Sequence, residues 1–478
     1  MTSPNKTKTL FLALAIAAAS AVLSCNGGGG GEDDADADTV VPPDGAEDVV
    51  GDDAPPDTLD GPDVPDVIPD TPVDDVTPDV PPPPTGCAAL PPPTGETVTV
   101  TPSQAGELRS IVAGAATGTT ILLEDGDYAM NGGDDAHRLM FSTPGVTLRS
   151  ASGNRDAVRL DGGYVTTELV SIYASDITIA DVTLMRAYYH PIHISGSDGG
   201  NITGILVHNV HIIDPGQQAV KINPSTSLTY ADQGVIECSL IELTDEGRPN
   251  IRDNCYTGGV DAHAAWGWII RLNEIRGFWC DSGLSEHAVH MWRTCRDTVV
   301  EANIITDCAR GIGFGMGDSG TSDDRVYADN PYPEAGYLGH IDGIIRNNFI
   351  FSTISGFDAG ITLEQARGTD VVHNTVVSLL EPFSSIEWRW GNTSVQVANN
   401  LVSHNLRPRD GAQAELLTNI ENADTAMLAD ASGGDLHLAA GAASAIDAGT
   451  VLSPGVCDTD IDGEERDSTP DIGADEYR

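Results

Sequence analysis

Lysine is almost missing from this sequence. Only Lys6, Lys8 and Lys221 occur, against 21 arginines in 478 residues. Basic residues are scarce altogether: 24 Lys and Arg face 72 Asp and Glu, for a formal net charge of −48. Such a surface repels phosphate, which argues against nucleic acid as a partner. Aromatic residues make up 5% of the chain, and no CxxC pair occurs to suggest a zinc cluster. Beyond the N-terminus no apolar run is long enough to span a bilayer. Leu/Ala-rich stretches with a 3.6-residue period are missing too, which excludes a helical solenoid.

What is present starts with Lys6, Lys8 and the run "TLFLALAIAAASAVLSC", a basic start, a short apolar run and small residues. This is an export signal covering 1–24. Val22-Leu23-Ser24 before Cys25 resembles the lipobox of bacterial lipoproteins. That resemblance implies that Cys25 is the lipidated mature N-terminus, with the membrane reached through the lipid. Residues 25–86 then hold 18 Asp and Glu among Gly, Pro and Val, with no basic or aromatic residue. They cannot bury a core, so they form a disordered tether. The expected location is the bacterial outer membrane or cell surface, otherwise the periplasm or the medium.

The rest of the chain keeps 54 acidic against 22 basic residues. Short apolar runs recur in it, among them "ITIADVTLM", "ILVHNVHII", "TVVEANIIT" and "DVVHNTVVS". Aligned, they place Asp181, Asn209, Cys238, Asn273, Asn303, Asn348, Asn374 and Asn400 in one column, 26 to 45 residues apart. Short β-rich segments at this spacing predict an all-β solenoid, a single-stranded parallel β-helix with one coil per repeat. Stacked Asn amides would satisfy one another at a turn. Cys238, in the same column, is expected to be a buried free thiol.

These runs, the opening "PSQAGELRSIVAGAATGTTILLEDGDYAM" and the ending "DIDGEERDSTPDIGADEY" resemble right-handed parallel β-helix proteins of the pectate-lyase-like superfamily. Chondroitinase B-like and alginate-lyase-like members and bacterial surface β-helix lipoproteins are the relatives in question. The resemblance implies a right-handed β-helix over 87–410, a closing segment over 411–478, and an extracellular polysaccharide as partner. The fold hosts lyases, hydrolases, epimerases and adhesins, so activity must come from the site. A monomer is expected.

A second strand follows in each coil: "PIHIS", "AVKIN", "DAHAA", "AVHMW", "GIGFG", "GITLE" and "SIEWR". With Ile192, Val220, Val289, Ile312, Ile361 and Ile386 inward, the next residues face out. That outward column reads His193, Lys221, His263, His290, Gly313, Thr362, Glu387. Rungs about 4.8 Å apart make its first four side chains one titratable strip. Asp261 shares the face, His287 and Arg310 flank it, and Trp292 lies close by.

Lyases and C5-epimerases of uronate polymers need a base for the C5 proton, an acid, and a partner for the carboxylate. Lys221 or His263 is the candidate base, with a lysine pKa depressed by its neighbours. His290 is the acid, and Arg310 or His193 the carboxylate partner. Asp261, His287, Trp292 and Glu364 complete the substrate-binding set. A glycoside hydrolase would instead pair Glu364 with Glu387. A transition metal would take His263, His290, Asp261 and His287. A glycan-binding or structural surface protein would need none of this chemistry.

Asp458, Asp460 and Asp462 in "CDTDIDGEER" have the alternating spacing of a calcium loop, and Ca²⁺ is the cofactor this spacing suggests. In an exported chain disulfides are expected. The preferred pairs are Cys255 with Cys280 and Cys295 with Cys308, and Cys87 with Cys457 would close the ends.

Overall fold

The computed structural model describes residues 86–316 and 324–478. The expected export signal, the lipidation expected at Cys25 and the expected tether up to residue 85 lie outside these residues. Three parallel sheets run the length of the described chain, and each coil adds a strand to them in turn. The first starts at Thr97–Val100 and ends at Gln413–Leu417. A second runs from Gly126–Ala129 to Leu401–Val402. The third, which carries the candidate site, runs from Leu139–Phe141 to Leu406–Pro408. This is a right-handed parallel β-helix.

Alternation along each strand sends every second side chain inside the coil. Ile192, Val220, Val260, Val289, Ile312, Ile361 and Ile386 stack there, fully buried. Before the second coil the short helix Leu108–Gly114 adds Leu108 and Val112 to the same core. Near the C-terminus Leu428–Asp430 and Asp435–Leu438 pair antiparallel. Leu436, Leu438 and Ile472 there pack on Phe349, Phe351, Val377 and Leu401 in a second apolar cluster.

The asparagine ladder is present, with a correction. Asn273, Asn303, Asn348, Asn374 and Asn400 pass side-chain hydrogen bonds from one to the next at 2.9–3.0 Å, and Asn419 extends the series. Toward the N-terminus the column continues through Ser239, whose amide N–H donates to Asn273 Oδ1. Asp181, Asn209 and Cys238 stand one residue earlier. Their φ values of 55°, 48° and 59° belong to a neighbouring left-handed column that also holds Leu272, Ala302 and Asn347. Asp and Asn suit a left-handed corner as well as a ladder, which is why they align with either.

That shift decides the cysteines. Cys238 is bridged to Cys87, not a free thiol, because the left-handed corner turns it away from the ladder. Cys255 and Cys280 are bridged to each other. Cys295 and Cys308 are separate buried thiols, and Cys457 is free and buried, so neither the 295–308 nor the 87–457 pairing occurs. Cys295 donates to the carbonyl of Ala262, and burial pushes the thiols of Cys295 and Cys308 up to about 12. These two side chains are inert core residues.

Candidate functional site

Register on the third sheet aligns His193 with Lys221, Lys221 with Asp261, Asp261 with His290, and His290 with Gly313. Thr362 and Glu387 follow. The outward column therefore holds Asp261 where His263 was expected. His263 points the same way two residues later, opposite Trp292. The inward residue of this coil is Val260, and "GGVDAHAA" has no bulky residue after it to mark the phase.

The displacement brings His263 to Lys221 on the diagonal. Lys221 Nζ lies 3.1 Å from His263 Nε2, 3.1 Å from Asp261 Oδ2 and 2.9 Å from the Tyr256 hydroxyl. An ammonium has three donors, and these three partners take them all. Lys221 is only 4% exposed. Burial works against its charge, but Asp261 and Tyr256 outweigh burial and hold its pKa above the ordinary lysine value. The expected depression is thus reversed, because the residue paired with Lys221 in register is a carboxylate. Lys221 is a fixed cation here, not a ready base.

Its partners respond in kind. Asp261 is buried, yet Lys221 keeps its carboxyl well below the usual range. Burial first, then the charge of Lys221, lowers His263 to about 4, so this imidazole is neutral at pH 7. Burial raises the Tyr256 phenol and Lys221 only partly offsets it, so Tyr256 keeps its proton. On the preceding coils His193 Nδ1 lies 2.6 Å from Glu168 Oε1, and Glu168 also pairs with Arg138. Burial opposes the Glu168 charge, but His193 and Arg138 bring its pKa down to about 2.

On the next coil Trp292 is buried. Its indole N–H donates to Asp261 Oδ1 at 2.7 Å, and its ring lies parallel to His290 at 5.1 Å between centroids. It is a wall of the cluster and offers no face to a sugar. His290 is 0% exposed, with Nε2 3.2 Å from the carbonyl oxygen of Gly315 and Nδ1 3.1 Å from Glu286 Oε2. Burial opposes its charge, Glu286 outweighs burial, and the pKa is raised. Neither ring nitrogen has a free path to a leaving group, so His290 does not serve as the expected acid.

His287 Nε2 reaches across the Gly313 rung to Thr362 Oγ1 at 2.8 Å. A Cβ on Gly313 would meet that imidazole at 2.6 Å, so glycine here makes room for a histidine. Arg310 is partly exposed and pairs with Asp358 at 3.1 Å. Glu364 faces Arg389 in register, and burial raises its pKa. Glu387 accepts from Ser384 and Arg409, so Glu364 and Glu387 are not two free carboxylates.

The calcium spacing does not make a site among the described residues. Asp460 accepts the backbone N–H groups of Asp462, Glu464 and Glu476, and Asp458 accepts that of Gly455. The carboxylates hold the turn. Asp462 instead converges with His437 and Asp475.

Three members of the cluster were not anticipated. Tyr256 lies on the loop held by the Cys255–Cys280 bridge, Glu168 on a coil with few matching residues, and Glu286 just ahead of its strand. The strand pattern did not signal Tyr256, because it lies ahead of the strand Gly258–His263.

No family model matches the chain, and no curated protein matches it significantly. Among solved structures it is similar to pectate lyase Pel9A at 13% identity, covering 82% of this chain and 98% of that one, with a TM-score of 0.46. An alginate lyase from Paenibacillus sp. str. FPU-7 is also 13% identical, over 67% of this chain and 98% of that one, with a TM-score of 0.42. The Azotobacter vinelandii mannuronan C-5 epimerase AlgE6 A-module gives 11%, 68%, 95% and 0.36 for the same quantities. The parallel β-helix itself rests on the strand pairing described above.

Proposed function

We propose that the protein is an exported, lipid-anchored, monomeric enzyme that acts on an anionic extracellular polysaccharide, as a uronate-polymer lyase or C5-epimerase. The observation that carries this reading is the Lys221–Tyr256–Asp261–His263 cluster. The apolar core lies inside the coils and does not need it. An ion pair buried on the outer face carries a desolvation cost that stability alone does not repay. Titratable groups gathered and shifted in this way are the mark of a functional site.

Removing a proton beside a carboxylate builds negative charge, which the fixed Lys221 ammonium stabilises. Tyr256 sits at the partly exposed rim and is the group that meets the substrate and moves its proton. Lys221, an ammonium with no lone pair, relays no proton; it holds Tyr256 and the neutral imidazole of His263 in place on either side of it. Arg310 and, further along the sheet, Arg389 and Arg409 are partly exposed guanidinium groups, each paired with a carboxylate of the protein (Asp358, Asp410 and Glu387) that a polymer carboxylate would share or displace.

The test is turnover on alginate, pectate, glycosaminoglycans and neutral glycans, with unsaturated uronate, C5 configuration and reducing ends measured separately. Tyr256→Phe is expected to lower turnover at least about 100-fold. Activity that survives both Tyr256→Phe and Lys221→Ala would refute the assignment. Glycan retention without turnover would make the protein a surface binder.

A further inference from the structure

We infer that Glu286, His287 and His290 form a binding site for a divalent first-row transition metal, with Zn²⁺ the best fit. Glu286 Oε2 lies 3.1 Å from His290 Nδ1 and 3.8 Å from His287 Nδ1. One ligand atom from each of the three residues falls within 4.8 Å of the others. Ligands at about 2.0–2.1 Å from a tetrahedral zinc stand about 3.3 Å apart, which these separations bracket.

The second observation is independent of proximity. Glu286 Oε2, His287 Nδ1 and His290 Nδ1 are all buried atoms with no hydrogen-bond partner among the described residues. His287 is 4% and His290 0% exposed. The 3.1 Å approach to Glu286 lacks the direction of an N–H···O bond, so it does not satisfy His290. Orphaned buried polar atoms of this kind call for an occupant.

The outer partners fix what the occupant must be. A carbonyl oxygen only accepts, so the Gly315 contact places the His290 proton on Nε2 and leaves a lone pair on Nδ1. Thr362 Oγ1 can accept in the same way from His287 Nε2. Two imidazole lone pairs and a carboxylate oxygen gathered within 4.8 Å of one another repel unless a proton or a metal ion stands among them. Imidazole ligands that give their other N–H to an oxygen are the usual arrangement around zinc. Two nitrogens and one oxygen suit Zn²⁺, Co²⁺ or Ni²⁺ and not Ca²⁺. Arg310, in register with His287, is neutralised by Asp358. Lys221 is shielded by Asp261. Glu286 is the ligand nearest solvent, and three protein ligands leave a coordination position for water or a ligand oxygen.

The site differs from the Asp261, His263, His287 and His290 set considered on sequence grounds. Asp261 and His263 are committed to Lys221. It also differs from the His437 cluster, where both ring nitrogens already face carboxylates at 2.6 and 3.1 Å.

The test uses the purified exported protein with its disulfides intact, stripped by chelation and titrated with Zn²⁺ and Co²⁺ in the absence of any glycan. One equivalent of Zn²⁺ per chain and a visible Co²⁺ spectrum of low coordination number are expected. Glu286→Gln, isosteric and at the rim, and His290→Asn should each weaken binding at least tenfold, while His437→Ala should leave it unchanged. Circular dichroism checks that each variant is folded, and the wild-type Co²⁺ spectrum stands without any variant. Failure to bind one equivalent, equal binding by Glu286→Gln, or loss only in His437→Ala overturns the site. No step of this test uses turnover, so it stands or falls apart from the polysaccharide reading.

Discussion

Two columns of polar side chains run along this solenoid, and they obey opposite rules. In the ladder one residue type repeats. Asn303 gives its amide hydrogens to Asn348 and the Ile270 carbonyl and receives two N–H groups from Asn273. Its donors and acceptors are all used, and the neighbouring rungs do the same. In the site column every rung is different, charges are buried, and polar atoms of His287, His290 and Glu286 are left without partners. A column that satisfies itself holds the coil together. One that leaves atoms unsatisfied is built for something that arrives from outside.

The largest effect that tests this contrast is Lys221→Ala. It leaves Asp261 charged, buried and unpaired, so a loss of about 3–5 kcal/mol is expected by denaturant unfolding. Lys221→Arg should retain the charge but lose stability as well, because a planar fork cannot meet Tyr256, Asp261 and His263 together.

Acid should come next. Glu168 has a folded pKa of about 2, below its unfolded value. A depressed carboxylate stabilises fully above the unfolded pKa near 4.3 and ceases to do so as pH falls through the folded one. About 3 kcal/mol should therefore disappear between roughly pH 4.3 and 2. His190, lowered to about 3 chiefly by burial, acts in the same direction, since the unfolded chain takes its proton first. Glu168→Gln should flatten the carboxylate part of the stability–pH curve and, because the Glu168 charge favours protonated His190, deepen the histidine part.

In the ladder, Asn303→Ala removes partners from buried groups on both sides and should cost about 2 kcal/mol, with metal binding and turnover untouched. Smallest of all, Asp462→Asn at an exposed turn should change stability by no more than about 0.5 kcal/mol, and Ca²⁺ should not shift the melting temperature through that turn.

Repetition explains what could be read without coordinates. Inward Val and Ile recur at the same phase, so the coils, the outward face of Lys221 and the Asn rungs from Asn273 onward are legible. Legibility fails where the phase markers weaken. Asp181, Asn209 and Cys238 shift by one because a left-handed corner accepts the same residue types as the ladder. His263 shifts by two because Ala262 and Ala264 flank it with equal small side chains. The sign of the Lys221 shift then followed the wrong neighbour. Burial of the outward face was illegible for another reason: the loop that carries Tyr256 and the side chains of neighbouring rungs cover it, and no periodicity encodes that.

The Cys87–Cys238 bridge spans 151 residues. It joins the first described residues to a corner several coils along the axis, past the strands from Thr97–Val100 to Val235–Glu237. Consider the chain under load. A pull applied ahead of Cys87 is delivered straight to the Cys238 corner, so the intervening coils hang slack from both ends and are not peeled away one strand at a time. Unravelling must then begin by breaking a covalent bond or shearing a strand inside the stack. In a reducing solution the same pull would meet the edge strand first, and the bridge works as a strain relief for the coils that lead up to the site.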